Sequence, residues 1–196
     1  MTVLIVIFAI IAIIVFWAWG IYNRLVRLKN QVNNAWSQID VQLQRRYDLI
    51  PNLIETVKGY MTYEKSTLEA VIGARNTASK SLDALKQAGG PTEGSLKELI
   101  AAESTLKGSL GQIFALAENY PQLRATENMQ RLQEELASTE NKVAFARQAY
   151  NDAAMTYNIN QQEFPALLIA GAFGHKQSDL FNVEQPEAKK AVKVQF

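Results

Sequence analysis

The sequence predicts an all-α protein: an N-terminal transmembrane helix followed by an antiparallel up-and-down four-helix bundle. Three observations predict it. Residues 3–21 read VLIVIFAIIAIIVFWAWGI and carry no charge. From Leu25 onward apolar side chains recur every third or fourth position, which is the period of a helix and not of a strand. Breaks at Gln87-Ala-Gly-Gly-Pro91, Asn119-Tyr-Pro121 and Phe164-Pro165 divide that run into segments of comparable length.

The first segment has the length of a membrane span. About nineteen residues at about 1.5 Å each reach about 28 Å, close to the hydrocarbon thickness of a bilayer. Phe16, Trp17, Trp19 and Tyr22 cluster at one end, as an interfacial aromatic belt does. A buried core helix is the bland alternative, but core helices rarely lack any polar face. A cleaved signal peptide is the other, and Ala18-Trp19-Gly20 has small residues at the right spacing. Against it, no Lys or Arg precedes the run, and the run exceeds the usual length of about 7–15 residues. Arg24, Arg27 and Lys29 follow directly. The positive-inside rule then puts the N-terminus outside and the body in the cytoplasm, as a single-pass protein of a bacterial inner (plasma) membrane.

The first soluble stretch has Leu25, Leu28, Val32, Ala35, Ile39 and Leu43 on one stripe, continued by Leu53, Val57, Tyr60, Leu68 and Val71. Pro51 interrupts it, and proline has no N–H to give a helix interior. The chain either turns near Tyr47 to Ile50 or runs on through a kink. A turn gives pieces of about 26, 37, 27 and 41 residues, which suit an antiparallel bundle better than about 65, 27 and 41. The expectation is therefore a corner at Pro51, with Asp48 as N-cap. The next helix covers about 95–119. The last covers about 122–163, with Leu132, Leu136, Val143, Arg147, Tyr150, Ala154 and Tyr157 on its stripe. No breaker separates the span from the first soluble helix, so residues 3–47 form a rod of roughly 65 Å. The expected division is a transmembrane helix at 1–22, a helical bundle at 23–174 and a C-terminal tail at 175–196.

Ala35-Trp36-Ser-Gln-Ile39-Asp40-Val41-Gln42-Leu43, followed by RRYDLIPNLIETVKGY at 45–60, resembles the LemA family. So do Glu118-Asn-Tyr120-Pro121-Gln-Leu123, AFARQAYND, Tyr157-Asn158, Glu163-Phe164-Pro165 and the Ala-Phe-Gly at 172–174. The match covers nearly the whole chain after the span, in the same order. It implies a short outside N-terminus, one span and a helical-bundle body, and it brings no reaction. The family pattern often has His-Glu where this chain has Tyr63-Glu64, so no role of that His carries over.

Lys+Arg is 20 against Asp+Glu 19, a net charge of +1, which is no nucleic-acid footprint. The absence of cysteine removes disulfides, thiolate metal sites and cysteine nucleophiles. The lone histidine, His175, reads as a solvated side chain. HExxH, CxxC, P-loop and GxGxxG patterns are all absent, and no pair of Glu-x-x-His motifs exists for a di-iron bundle. No catalytic, cofactor-binding or metal-binding residue is expected.

The polar residues on or near the core stripes are Asp40, Asp48, Asn52, Glu55, Arg147, Tyr150, Asn151, Tyr157 and Asn158. Tyr150-Asn151 recurs seven residues on as Tyr157-Asn158, so both pairs share a helix face. One reading is a polar pocket for a ligand or a partner helix. The favoured one is a buried network that fixes helix register. A buried Arg147 needs a carboxylate, and Asp40 is the first choice among Asp40, Asp48 and Glu55. Glu134, Glu135 and Lys142 read as a solvated face, and the tail around Lys189-Lys190 as packing late on the bundle or staying mobile. The expected function is a membrane-anchored, non-catalytic scaffold that self-assembles and organises or shapes the membrane. Its partners would be the lipid bilayer and further copies of the chain. The alternatives are an adaptor for another membrane protein, a protease or a sensor kinase, and a hydrolase using Asp48, Asn52 and Glu55.

Overall fold

The computed structural model describes residues 1–61 and 63–181, and among them are six helices and no strand. They are α1 (Thr2–Lys58), α2 (Lys65–Gln87), α3 (Glu93–Ala117), α4 (Pro121–Arg124), α5 (Glu127–Gln162) and α6 (Ala166–Ala172). Seven-residue rows of buried side chains hold them together. On α1 one row is Leu25, Val32, Ile39, Arg46 and Leu53, and another is Trp36, Leu43, Ile50 and Val57. On α5 the row is Met129, Leu136, Val143, Tyr150 and Tyr157. A strict seven-residue repeat keeps one seam facing its partner when two helices wind around each other with a left-handed twist. α1 and α5 form the longest such pair, and they run antiparallel: Lys29 meets Tyr157, and Trp36 meets Tyr150.

α2 and α3 form a hairpin that leans on this pair. Gly89 (φ 78°) and Gly90 (φ 131°) make the tight reversal, a conformation that side chains with a Cβ rarely adopt. Thr92 and Ser95 close the start of α3 in a reciprocal cap, with their hydroxyls 2.7 Å apart. Thr126 opens α5 by accepting the Met129 N–H at 3.4 Å. The hairpin is shorter than α1 and α5. Its tip reaches only the level of Asp40, whose carboxylate pairs with Lys86 at 2.8 Å. The expected four-helix bundle therefore occupies the outer part of the molecule. Nearer the apolar end, α6 and residues 174–181 are what joins α1 and α5 among the described residues.

The corner expected near Tyr47–Ile50 is not there. α1 passes straight through Pro51, and the chain turns after Lys58 instead. Asp48 consequently lies within the helix and is exposed, capping nothing. Two features make the proline tolerable. Its ring is on the exposed face of α1. The carbonyl that its missing N–H leaves free, that of Tyr47, accepts from Arg75 Nε of α2 at 3.2 Å. Arg75 thus replaces the helical donor from a neighbouring helix. Arg75→Leu is expected to destabilise the bundle by about 1–3 kcal/mol by orphaning that carbonyl. Adding Pro51→Ala should recover most of the loss, because alanine restores the donor. Thermal melts of the two variants test this, and no recovery in the double variant would sink the account.

α1 is the described helix long and apolar enough to cross a membrane, and its apolar window is not buried against the rest of the chain. Trp17 and Trp19 are exposed, as are Arg24 and Arg27, while Tyr22 is half-buried against the Phe173 ring at 4.7 Å.

Candidate functional site

The only cluster of buried charge among the described residues sits at mid-bundle. Glu103 of α3 and Arg46 of α1 are 4 % and 5 % exposed, so each must be compensated within the fold. Arg46 Nη1 donates to Glu103 Oε2 at 3.2 Å, and the Tyr47 hydroxyl donates to Glu103 Oε1 at 2.6 Å. Arg147 of α5 brings Nη2 within 3.6 Å of the same carboxylate, an ion pair too long for a hydrogen bond. One carboxylate thus ties α1, α3 and α5 together. Burial, and then the charge and hydrogen bond of Glu103, push the Tyr47 phenol well above its ordinary range. Burial pulls Arg147 below the ordinary arginine range, and Glu103 opposes that pull. Two arginines against one glutamate leave an excess positive charge. Glu140 relieves part of it from the rim. Held by Lys107 at 2.6 Å, it sits below the usual carboxylate range, and Arg46 and Arg147 add to the effect.

The partner expected for Arg147 was Asp40. That assignment is corrected: Asp40 pairs with Lys86, and Glu103 serves Arg147. Asp48, Asn52 and Glu55 are also displaced from the expected network, because all three lie on the exposed side of α1. The structure brings no carboxylate pair together there, and among the described residues no group of three or more His, Asp or Glu could hold a metal.

The other four network residues are together, and they grip the chain's own tail. Asn158 Nδ2 donates to the Ser178 carbonyl at 2.8 Å, and Asn158 Oδ1 accepts the Ser178 N–H at 2.8 Å. Asn151 does the same for Phe181, at 3.1 and 2.8 Å. Each side-chain amide pairs with a peptide unit as a neighbouring strand would. The register follows from geometry. Seven residues of helix advance about 10.5 Å. Three residues of extended chain advance about 10 Å. An Asn every seventh position therefore meets every third residue of an extended segment running antiparallel to α5.

Between the rungs the Tyr150 hydroxyl donates to the Asp179 carbonyl at 2.8 Å. Gln161 Nε2 donates to the His175 carbonyl at 2.6 Å. Lys29 Nζ donates to Ser178 Oγ at 3.0 Å, and burial lowers its pKa against the pull of Asp179. Phe181 stacks on Trp36 at 6.0 Å, meets Tyr150 edge-on at 5.5 Å and lies 5.3 Å under the Arg147 guanidinium. Arg147 thus joins the charged centre to the clasp.

His175 is a further correction. Expected to be solvated, it is partly buried, with Nδ1 3.0 Å from the Tyr157 hydroxyl and its ring edge-on to Tyr22. Of the tail, residues 175–181 are docked, whereas Lys189-Lys190 lie outside the described residues. Sequence reasoning missed Arg46 and Glu103. A signal existed: each occupies one place in an otherwise apolar seven-residue row, Glu103 among Leu96, Leu110 and Ala117.

The family model described as LemA family matches residues 35–196. The chain is similar to Magnetosome protein MamQ 2 of Paramagnetospirillum magneticum, 25 % identical over 179 residues, covering 84 % of this chain and 65 % of that protein. It is 23 % identical over 181 residues to Magnetosome protein MamQ of Magnetospirillum gryphiswaldense, with coverage of 84 % and 65 %. Protein LemA of Metamycoplasma hominis is 27 % identical over 175 residues, with coverage of 89 % and 73 %. The chain thus spans just under two thirds, 65 %, of the length of the magnetosome relatives it matches.

Proposed function

The chain belongs to the LemA family, and from that membership we propose that it is a membrane-anchored, non-catalytic scaffold whose copies assemble side by side and organise the membrane. The observation that carries this reading is α1 itself. Fifty-seven residues run as one helix from the apolar segment into the bundle core, with Arg75 repairing the only proline in it. A bundle joined to its anchor without a linker holds a set angle to the bilayer, which is what lateral packing of many copies requires. The buried charges support a structural role, since Glu103 is engaged by Tyr47, Arg46 and Arg147 together. On this reading the N-terminus is outside and the bundle cytoplasmic, following Arg24, Arg27 and Lys29.

Light scattering on the full-length protein in mild detergent tests it. The expected result is a defined assembly several times the chain mass of 21.9 kDa. A monomer would sink self-assembly and favour the adaptor reading. Reporter fusions at the C-terminus that are active only outside the cytoplasm would overturn the orientation. Substrate turnover abolished by Glu55→Ala with the fold intact would overturn the non-catalytic assignment.

A further inference from the structure

The apolar surface of the described residues does not end with the span. Phe164 is 81 % exposed, Leu167 53 %, Leu168 65 % and Phe173 63 %, all within or beside α6. Elsewhere on the bundle exposed large apolar side chains are single, as Val41 and Phe145 are, or at most neighbours in twos, as Met155 and Ile159 on α5, and such scatter is ordinary on a soluble surface. Four on one short helix and its flanks form a patch, and a patch calls for a partner.

Its place in the fold identifies the partner. The Phe173 ring lies 4.7 Å from Tyr22, and Tyr22 faces His175 as well. At the other end, Phe164, Pro165 and Ala166 share a groove of about 220 Å³ with Trp17, Ile21 and Arg24. Both ends of α6 are therefore level with residues 17–24 of α1, where the aromatic belt ends the apolar run. The patch continues the surface of the span sideways at the depth where lipid headgroups meet acyl chains. α6 has seven residues, about 10 Å of helix, too short to cross and suited to lying in the plane. Arg24, Arg27 and Lys176 are exposed around it, with Glu163 the acidic neighbour beside Arg24. That surrounding favours anionic headgroups.

We propose that α6, with Phe164 and Phe173, is a second membrane contact, seated in the headgroup–acyl boundary of the leaflet from which α1 emerges. This rests on α1 spanning the bilayer, and not on self-assembly. Two contacts at different distances from the α1 axis fix the rotation and tilt of the bundle. They also place a wedge in one leaflet and not in the other.

The chain has no cysteine, so single-cysteine variants carry a fluorophore without background. Leu168→Cys, Ala12→Cys and Phe145→Cys are labelled in full-length protein and reconstituted in vesicles of phosphatidylcholine and phosphatidylglycerol. Lipids brominated near the top of the acyl chain should remove about half the emission of the Leu168→Cys label, as expected for a group held at that boundary. Lipids brominated deep in the chain should quench the Ala12→Cys label, and neither should affect Phe145→Cys. If the Leu168→Cys label ignores lipid and is quenched by aqueous iodide while Ala12→Cys is quenched by lipid, the second contact is overturned and the span stands. A Leu168→Cys label blind to both quenchers would mean that protein covers the patch, and would overturn it too. If Ala12→Cys itself escapes lipid, the span reading fails and the proposal falls with it.

Discussion

Glu103→Leu is expected to lower the stability of the bundle by about 3–5 kcal/mol, the usual cost of removing one partner from a buried ion pair. The substitution keeps the bulk and removes the carboxylate that pairs with both Arg46 and Arg147. Two guanidinium groups then remain in a site that holds Arg46 at 5 % exposure, and the Tyr47 hydroxyl loses the acceptor it meets at 2.6 Å. The melting temperature of the helical signal should fall by on the order of 10 °C. The control separates the pair's attraction from the cost of orphaning charges. Glu103→Leu with Arg46→Met, Arg147→Met and Tyr47→Phe leaves an apolar centre of similar volume with no orphaned hydroxyl, and should melt close to the native protein or above it. A single Glu103→Leu variant that melts unchanged would mean the arginines reach water, and the centre would lose its structural role.

Phe181→Ala is expected to free the tail without unfolding the helices. Truncating a buried phenylalanine costs about 3–5 kcal/mol in a core. Here the loss is capped at the free energy of docking, because residues 175–181 lie outside the described helices and can leave α5 while the bundle stands. The amide of Ser178, which donates to Asn158 Oδ1 at 2.8 Å, reports the docking directly. Its hydrogen exchange should speed up about a hundredfold or more, given tenfold per 1.4 kcal/mol. Asn158→Ala should act more weakly, about 1 kcal/mol, since on undocking water replaces the lost bonds. Retained protection at Ser178 in Phe181→Ala, with circular dichroism unchanged, would show that the asparagine rungs alone hold the tail.

The helical architecture and the apolar segment were legible because both rest on local periodicity. Leu25, Val32 and Ile39 announce a helix face whatever packs against it. The path through Pro51 was not legible, because it depends on Arg75, twenty-eight residues away along the chain, reaching the Tyr47 carbonyl. Equal helix lengths argued for a corner, and a single long-range hydrogen bond outweighed them. The Tyr-Asn repeat at 150 and 157 was visible as a shared face. Its ligand was not, because an extended segment such as 175–181 has no period to betray it. Arg147 was rightly placed on a core stripe but given the wrong carboxylate. Glu103 stands in an apolar seven-residue row that marks it as inward, whereas the pairing of Asp40 with Lys86 depends on the tertiary arrangement.

The unequal reach of the helices has a mechanical consequence. With the apolar run ending near Tyr22 and the α2–α3 hairpin stopping at the level of Asp40, the hairpin stops roughly 25 Å short of the apolar run, at 1.5 Å per residue of α1. It is a cantilever on a stalk, with α6 and residues 175–181 docked along the α1–α5 pair beneath it. On the proposed assembly, neighbouring copies would meet first through these overhangs and not through the α1–α5 stalks.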